Sequence, residues 1–129
     1  MQDEVREELL KAQQSEMETV TIYKYLANKT KNQDVKSVLL KIAVDEGKHA
    51  GILRRFTTQT LKRREKPSWR FRLLASVFSL KMILRMLLTS EQKNAESYAP
   101  AGKKNAQMRE IANDERRHCK MLEQLIEQL

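Results

Sequence analysis

The chain has 129 residues, which is enough for one domain with its own hydrophobic core. Only 3 glycines, 2 prolines and 1 cysteine occur, a composition that favours helices and excludes a disulfide framework or a Cys-x-x-Cys metal site. The net charge of +8 suits anionic partners, but no aromatic interleaving or nucleic-acid motif accompanies the basic residues, so we expect no nucleic-acid partner.

The first half of the chain predicts two helices. Apolar residues at helical spacing indicate a helix from residue 3 to about residue 30. A short polar turn at residues 30–34 precedes a second helix, which runs from about Asp34 to Leu61. Because so short a connection makes neighbouring helices antiparallel, residues 1–61 are expected to form a helical hairpin.

Residues 62–79 have a different character, and we interpret them as a crossover. The segment begins with basic residues; Pro67 then favours a break, and Ser68 is a suitable cap for a new helix. The helical pattern resumes at Trp69–Phe78, which we expect to be a short helical piece of the crossover.

A second hairpin is predicted for residues 80–129. Its first helix runs from about Leu80 to Tyr98 and ends at residues 99–102. Its second helix begins at Lys103 or Asn105 and runs to Gln128. The predicted fold is therefore all-α, a single domain (residues 1–129) in which two helical hairpins form a four-helix bundle.

The most apolar part of the chain is Phe71–Leu88. Its charged residues Arg72, Lys81 and Arg85 argue against a membrane span. Two interpretations stay open. We favour burial in the bundle or in a dimer interface over an amphipathic segment that lies on a membrane or on a partner.

Two short motifs carry the chemistry. Glu46-x-x-His49 and Glu115-x-x-His118 contain the only histidines of the chain. Positions i and i+3 share one face of a helix, so both side chains of each motif can reach one metal ion. Each motif also interrupts an apolar stripe meant for burial, and a buried carboxylate is costly unless it is paired or bound to a metal.

The sequence upstream of the two motifs repeats as well. Glu18 is followed seven residues later by Tyr25, and Glu91 is followed seven residues later by Tyr98. Each hairpin therefore supplies one glutamate from its first helix and a Glu-x-x-His motif from its second. The tyrosines lie two turns from the glutamates on the same face, and we expect them to hydrogen-bond the ligand carboxylates.

The predicted metal ligands are Glu18, Glu46, His49, Glu91, Glu115 and His118. Four carboxylates and two imidazoles suit two iron ions, with manganese or zinc as substitutes. The carboxylates neutralise the charge of two divalent ions, and open positions remain for oxygen or peroxide. No catalytic residue separate from these ligands is expected, and Cys119 is interpreted as a small packed thiol.

The motifs resemble those of the rubrerythrin branch of the ferritin-like superfamily, and the resemblance spans nearly the whole chain. The matching residues are Glu18-x6-Tyr25, Asp45-Glu46-x-x-His49, Glu91-x6-Tyr98 and Asp114-Glu115-x-x-His118. The resemblance implies a ferritin-like bundle and a non-haem di-iron oxidoreductase, a peroxidase or ferroxidase that reduces peroxide or oxidises Fe(II). Residues Trp69–Leu80 also look like the crossover of rubrerythrin-like domains found beside vacuolar-iron-transporter-type membrane domains.

The chain departs from typical rubrerythrins in two ways. It lacks a rubredoxin domain with Cys-x-x-Cys knuckles, so we expect an external electron donor such as a rubredoxin-like protein. Asn94 stands three residues after Glu91, where typical rubrerythrins have a further glutamate. Two alternatives therefore stay open: an iron-binding module for storage or transport with little turnover, and a non-enzymatic helical interaction domain that uses Leu61–Leu88.

The assembly and the compartment are also expectations. We expect a homodimer; if residues 62–79 cannot fold back, the hairpins of two chains would pair in a domain-swapped dimer. A chain with one cysteine suits a reducing compartment, and its polar opening residues do not resemble a signal peptide. We therefore expect a cytoplasmic protein.

Overall fold

A computed structural model describes residues 3–129 of the chain. Within this range the protein consists of α-helices and connecting segments, without a strand, which confirms the predicted all-α fold. The helices are α1 (Asp3–Lys29), α2 (Gln33–Thr57), α3 (Trp69–Val77), α4 (Leu80–Gly102) and α5 (Ala106–Gln128).

The chain divides into two compact units, with the boundary between Pro67 and Ser68. In the unit before the boundary, called here the first hairpin, α1 packs along α2. In the unit after it, called the second hairpin, α4 packs along α5 and α3 contacts α4. The predicted pair of helical hairpins is therefore present in the structure.

The first hairpin is closed by a capped turn and an apolar seam. The side-chain oxygen of Asn32 accepts hydrogen bonds from the backbone N–H groups of Asp34 and Val35, at 3.0 and 3.2 Å, and so caps α2. Behind this turn the two helices bury apolar side chains against each other: Val20, Tyr23, Leu26, Val35, Leu39, Ile42 and Leu53. Burial of this apolar surface is the main force that holds the hairpin together.

Helix α2 ends at Thr57, so the predicted end at Leu61 was too late. Thr58 adopts a left-handed conformation (φ 58°), and its N–H group donates to the Arg54 carbonyl at 2.7 Å. A left-handed residue at this position terminates a helix by satisfying one of its last carbonyl groups.

Hydrogen bonds attach the end of α2 and the segment after it to α1. Gln13 Nε2 donates to the Gln59 carbonyl at 2.8 Å, and Thr57 Oγ1 donates to Gln13 Oε1 at 2.6 Å. Further along, Thr21 Oγ1 donates to the Arg64 carbonyl at 2.7 Å. We call these contacts the polar strap. They place the basic start of the predicted crossover within the first hairpin.

The second hairpin begins with the predicted cap. Ser68 Oγ accepts a hydrogen bond from the Phe71 N–H group at 3.3 Å, and Ser79 Oγ caps α4 in the same way through Met82 at 3.2 Å. The buried apolar residues of this hairpin come from both long helices: Ile83, Leu84, Leu87, Met108, Ile111, Leu122 and Leu125.

Helix α4 continues past the predicted end at Tyr98 and includes Pro100. Because Pro100 lies in the last turn, its missing N–H group removes only one terminal hydrogen bond. The helix ends where Gly102 approaches α5 closely: a Cβ atom on Gly102 would lie 3.0 Å from the Arg109 Cα atom. The absence of a side chain at Gly102 therefore allows the tight turn into α5, which Asn105 caps.

The apolar segment Phe71–Leu88 is buried only in part. Ile83, Leu84 and Leu87 lie in the core, as the favoured interpretation expected, but Leu73 and Val77 are exposed. None of the described helices combines the length and apolarity needed to cross a bilayer.

Candidate metal centre

The first hairpin buries two carboxylates and an imidazole side by side. Glu16 comes from α1, and Glu46 and His49 come from α2. The Nδ1 atom of His49 lies 3.5 Å from Glu16 Oε2 and 3.9 Å from Glu46 Oε2. These residues, which we call the first cluster, are at most 3% exposed.

The spacing of buried positions along each helix of the hairpin explains why these polar side chains point inward. The buried positions of α1 recur every three or four residues, at Gln13, Glu16, Val20, Tyr23 and Ala27. Glu46 and His49 continue the buried stripe that Leu39 and Ile42 begin on α2. The cluster therefore occupies positions that a purely structural hairpin would fill with apolar residues.

The second hairpin repeats this arrangement. Glu91 comes from α4, and Glu115 and His118 come from α5. The Nδ1 atom of His118 lies 3.7 Å from Glu91 Oε2 and 3.8 Å from Glu115 Oε1. These residues, which we call the second cluster, are at most 2% exposed.

The donor sets of both clusters fit a metal ion. Within each cluster, one donor atom from every residue lies within 4.8 Å of the others. Burying an ionised carboxylate is very costly unless it is paired or coordinates a metal, and each hairpin buries two. Oxygen and imidazole nitrogen donors suit iron, manganese or zinc rather than softer ions. Each cluster can therefore supply the ligands of a metal ion.

Burial has a measurable consequence at Glu91. Desolvation raises the pKa of this carboxyl group from 4.5 to about 7; Glu115 adds to the rise, and His118 opposes it. A metal ligand must be deprotonated to bind. Metal binding at the second cluster is therefore expected to strengthen as the pH rises toward neutrality.

The structure places five of the six predicted ligands in the clusters: Glu46, His49, Glu91, Glu115 and His118. It does not bring Glu18 there. Glu18 is exposed on α1, where its Oε1 atom accepts a hydrogen bond from Gln14 Nε2 at 3.4 Å. Glu16, which the sequence interpretation missed, stands beside His49 instead.

A signal for Glu16 was present in the sequence. Glu16 is followed seven residues later by Tyr23, the same spacing as in Glu18 and Tyr25. Only Glu16 fits the three- and four-residue rhythm of buried positions on α1, because two residues correspond to a rotation of about 200° around a helix. The apolar rhythm, rather than the motif spacing, therefore decides which glutamate faces inward.

The buried tyrosine of α1, like the buried glutamate, lies two positions before the predicted one. Tyr23 is fully buried, whereas Tyr25 is only half-buried and lies 5.2 Å from the ammonium group of Lys29. Tyr98 of the second hairpin is half-buried. The tyrosine that accompanies the first cluster along α1 is thus Tyr23. The predicted hydrogen bonds from Tyr25 and Tyr98 to ligand carboxylates stay predictions.

Cys119 is next to His118 in the chain but does not belong to the second cluster. Burial, followed by the nearby carboxylates of Glu91 and Glu115, raises the pKa of the Cys119 thiol to about 11. A thiol that stays protonated at neutral pH is a poor ligand and a poor nucleophile. This favours the interpretation of Cys119 as a packing residue.

The comparisons with known proteins agree with the geometry. The sequence model of the rubrerythrin family, described as Rubrerythrin, matches residues 7–126. No curated protein matched the chain, and neither did any solved structure. The likeness of the crossover to domains beside vacuolar-iron-transporter-type membrane domains stays a prediction.

Proposed function

The chain belongs to the rubrerythrin family, a group with the ferritin-like fold, and we propose that its two clusters bind iron, two ions per chain, which reacts with peroxide or oxygen. The observation that carries this proposal is the matched pair of buried carboxylate–imidazole clusters, one in each hairpin. A single cluster in an isolated hairpin would support a mononuclear site at most.

Each side chain has a defined role in this proposal. The four carboxylates Glu16, Glu46, Glu91 and Glu115 neutralise the charge of two divalent ions, and His49 and His118 each contribute one imidazole nitrogen. When bound, two Fe(II) ions would supply the two electrons that reduce peroxide to water, and with oxygen or peroxide as the final electron acceptor the same residues would support the oxidation of further Fe(II). The predicted substitutes, manganese and zinc, have the same ligand preferences, but zinc has no redox chemistry.

The protein around the clusters controls water and protons. Because the cluster residues are at most 3% exposed, bulk water is kept from the ligand atoms. Low local polarity strengthens the electrostatic attraction between carboxylates and cations. Glu91 holds a proton up to about pH 7 before a metal binds, so it releases that proton when it becomes a ligand.

Repeated turnover needs a source of electrons besides the two clusters. Cys119 is the only cysteine, so the sequence has no Cys-x-x-Cys site for an iron centre of the rubredoxin type. We propose a separate reductant of that type. The predicted homodimer, with or without exchange of hairpins, is part of this proposal.

A second candidate function is an iron-binding module for storage or transport with little turnover. Asn94 favours it, because typical rubrerythrins have a further glutamate three residues after the ligand at Glu91. The two functions differ in how fast the reduced protein reacts with peroxide. Fast, selective oxidation by peroxide supports the enzyme, and slow oxidation by both peroxide and oxygen supports the binding module.

An anaerobic titration of metal-free protein with Fe(II) tests the shared premise. We expect saturable binding with a break near two ions per chain, followed by an oxo-bridged diferric absorption band after peroxide is added. The double variant E46Q/E115Q should bind no iron tightly and should keep its helical circular dichroism. Absence of saturable binding in the unsubstituted protein, or full binding by the folded double variant, would refute the iron centre.

A further inference from the structure

Helix α3 is apolar on two sides. Phe71, Leu74 and Ala75 are half-buried on its inner side. On the other side, Trp69, Leu73 and Val77 are 64%, 55% and 69% exposed. These three residues are spaced four apart, so they form one continuous stripe along the helix. A short helix with a second, solvent-facing apolar stripe has a surface that the fold itself does not use.

Exposed apolar residues also follow α3 in the chain. Phe78, between α3 and α4, is 45% exposed, and Met82 and Met86, spaced four apart on α4, are each 43% exposed. The neighbouring residues Ile83, Leu84 and Leu87 are buried, so α4 also has an inner and an outer apolar side. We call the exposed set the outer strip: Trp69, Leu73, Val77, Phe78, Met82 and Met86.

Positive charge accompanies the outer strip. Arg70 and Arg72 are exposed on α3, and each lies beside the stripe, one on either side of it around the helix. Arg85 is exposed on α4, one residue from Met86. From Lys66 to Ser90, both included, the sequence contains five basic residues and no acidic residue. The guanidinium group of Arg70 also lies 5.6 Å from the Trp69 ring.

We propose that the outer strip lies on the surface of an anionic lipid bilayer. Tryptophan, phenylalanine, leucine and methionine side chains would enter the boundary between headgroups and acyl chains, while the flanking arginines reach the lipid phosphates. Helix α3 has 9 residues, so it is suited to lying along the interface. The ligand chemistry is an apolar layer bordered by negative charge, which matches the apolar strip and its cationic edges.

The charge pattern argues against a second copy of the chain as the occupant. A two-fold interface places the same patch of both chains face to face. Arg70, Arg72 and Arg85 of one copy would then lie near the same arginines of the other, with no acidic residue in this segment to offset them. Like charges in contact oppose association, whereas an anionic bilayer attracts them.

The outer strip contains the only tryptophan of the chain, so it carries its own probe. The full-length protein is mixed with phosphatidylcholine vesicles, with or without phosphatidylglycerol. Binding is followed by co-sedimentation and by the emission of Trp69. We expect binding and a blue-shifted emission with the phosphatidylglycerol vesicles, little of either with phosphatidylcholine alone, and loss of binding at high salt.

Surface variants locate the binding. Val77→Asp should lower the vesicle partition coefficient about tenfold or more, because it removes one apolar anchor and adds a negative charge. Arg72→Gln should lower it about fivefold, since each basic residue at such a surface contributes about 1 kcal/mol. Val44→Asp is the matched control: Val44 is 58% exposed, but on α2, and the substitution should leave binding unchanged.

Both aspartate variants replace exposed residues, so their far-ultraviolet circular dichroism should equal that of the original protein. Failure of the protein to bind phosphatidylglycerol vesicles would overturn the proposal. Equal binding by Val77→Asp, or equal binding to phosphatidylcholine alone, would overturn it too. A dimer that Val77→Asp dissociates would show that a second copy covers the strip instead.

Discussion

The two hairpins bury the same set of ligands from different sequence contexts. In both, a histidine Nδ1 atom lies 3.5–3.9 Å from two carboxylate oxygens. In the second hairpin, only one glutamate is followed by a tyrosine at the repeated spacing, and it is the buried Glu91. In the first hairpin the pattern occurs twice, and the exposed Glu18 competes with the buried Glu16. Motif spacing identifies the buried glutamate only where the motif occurs once; where it occurs twice, the apolar rhythm of the helix decides.

The hairpins also differ in how their ends are held. The first hairpin uses buried polar side chains, with Gln13 and Thr57 joined at 2.6 Å and both at most 1% exposed. The second uses a close backbone approach at Gly102, whose carbonyl accepts a hydrogen bond from Arg109 Nε at 2.9 Å. The clusters are alike although the surrounding supports are not, which indicates that the ligand set itself is the shared feature.

The largest expected effect tests the equivalence of the two clusters. His49→Asn and His118→Asn should each weaken Fe(II) binding more than about a hundredfold, because even partners that only orient ligands contribute 10–100-fold. Anaerobic titration measures both variants, and circular dichroism checks that they fold. A large loss in one hairpin together with normal affinity in the other would break the comparison.

The next effect distinguishes the two glutamates of α1. Glu16→Gln should weaken Fe(II) binding about a hundredfold, since it removes a buried carboxylate that lies 3.5 Å from His49. Glu18→Gln is the matched control and should change the affinity less than about twofold, because Glu18 is exposed. The opposite order would restore the original assignment of Glu18.

A third effect concerns the pH dependence of the metal-free protein. The pKa of Glu91 is about 7 in the folded state and 4.5 in its usual surroundings, so the folded chain holds a proton that the unfolded chain releases between these values. The free energy of unfolding should therefore fall as the pH rises from 4.5 to 7, by up to about 3 kcal/mol.

Glu91→Gln should remove this fall, and chemical denaturation at a series of pH values measures it. A fall of the same size in the Glu91→Gln variant would assign it to another group.

The smallest effect tests the polar strap of the first hairpin. Thr57→Val should lower the free energy of unfolding by about 1–3 kcal/mol, because it leaves the buried Gln13 Oε1 atom without its donor. The control is Thr89→Val on the exposed side of α4, which should cost less than about 0.5 kcal/mol. Equal effects in urea denaturation would mean that the strap adds no stability.

Much of the fold could be predicted from the sequence because its signals are local. The helix cap at Ser68, the short turn at residues 30–32 and both Glu-x-x-His motifs depend on neighbours within a few positions. The end of α2 could not be predicted, since no glycine marks it. The residue there in the left-handed conformation is Thr58, which rarely adopts it.

The polar strap and the outer strip could not be predicted from neighbouring residues in the sequence, because both depend on how the helices pack. Gln13 and Thr57 are 44 positions apart, so their hydrogen bond exists only once α1 and α2 have paired. The apolar residues of α3 looked like core residues, and only the fold shows that one side of the helix faces solvent. Burial on a two-sided apolar helix depends on the available neighbours, which periodicity does not specify.

The most direct test of the iron centre is a crystal structure of the Fe(II)-loaded protein with anomalous diffraction at the iron edge. We expect two iron peaks, with Glu16, Glu46 and His49 among the ligands of one and Glu91, Glu115 and His118 among those of the other. Glu18 should remain in solvent. An iron peak bound by Glu18, or no iron at the buried clusters, would contradict the assignment.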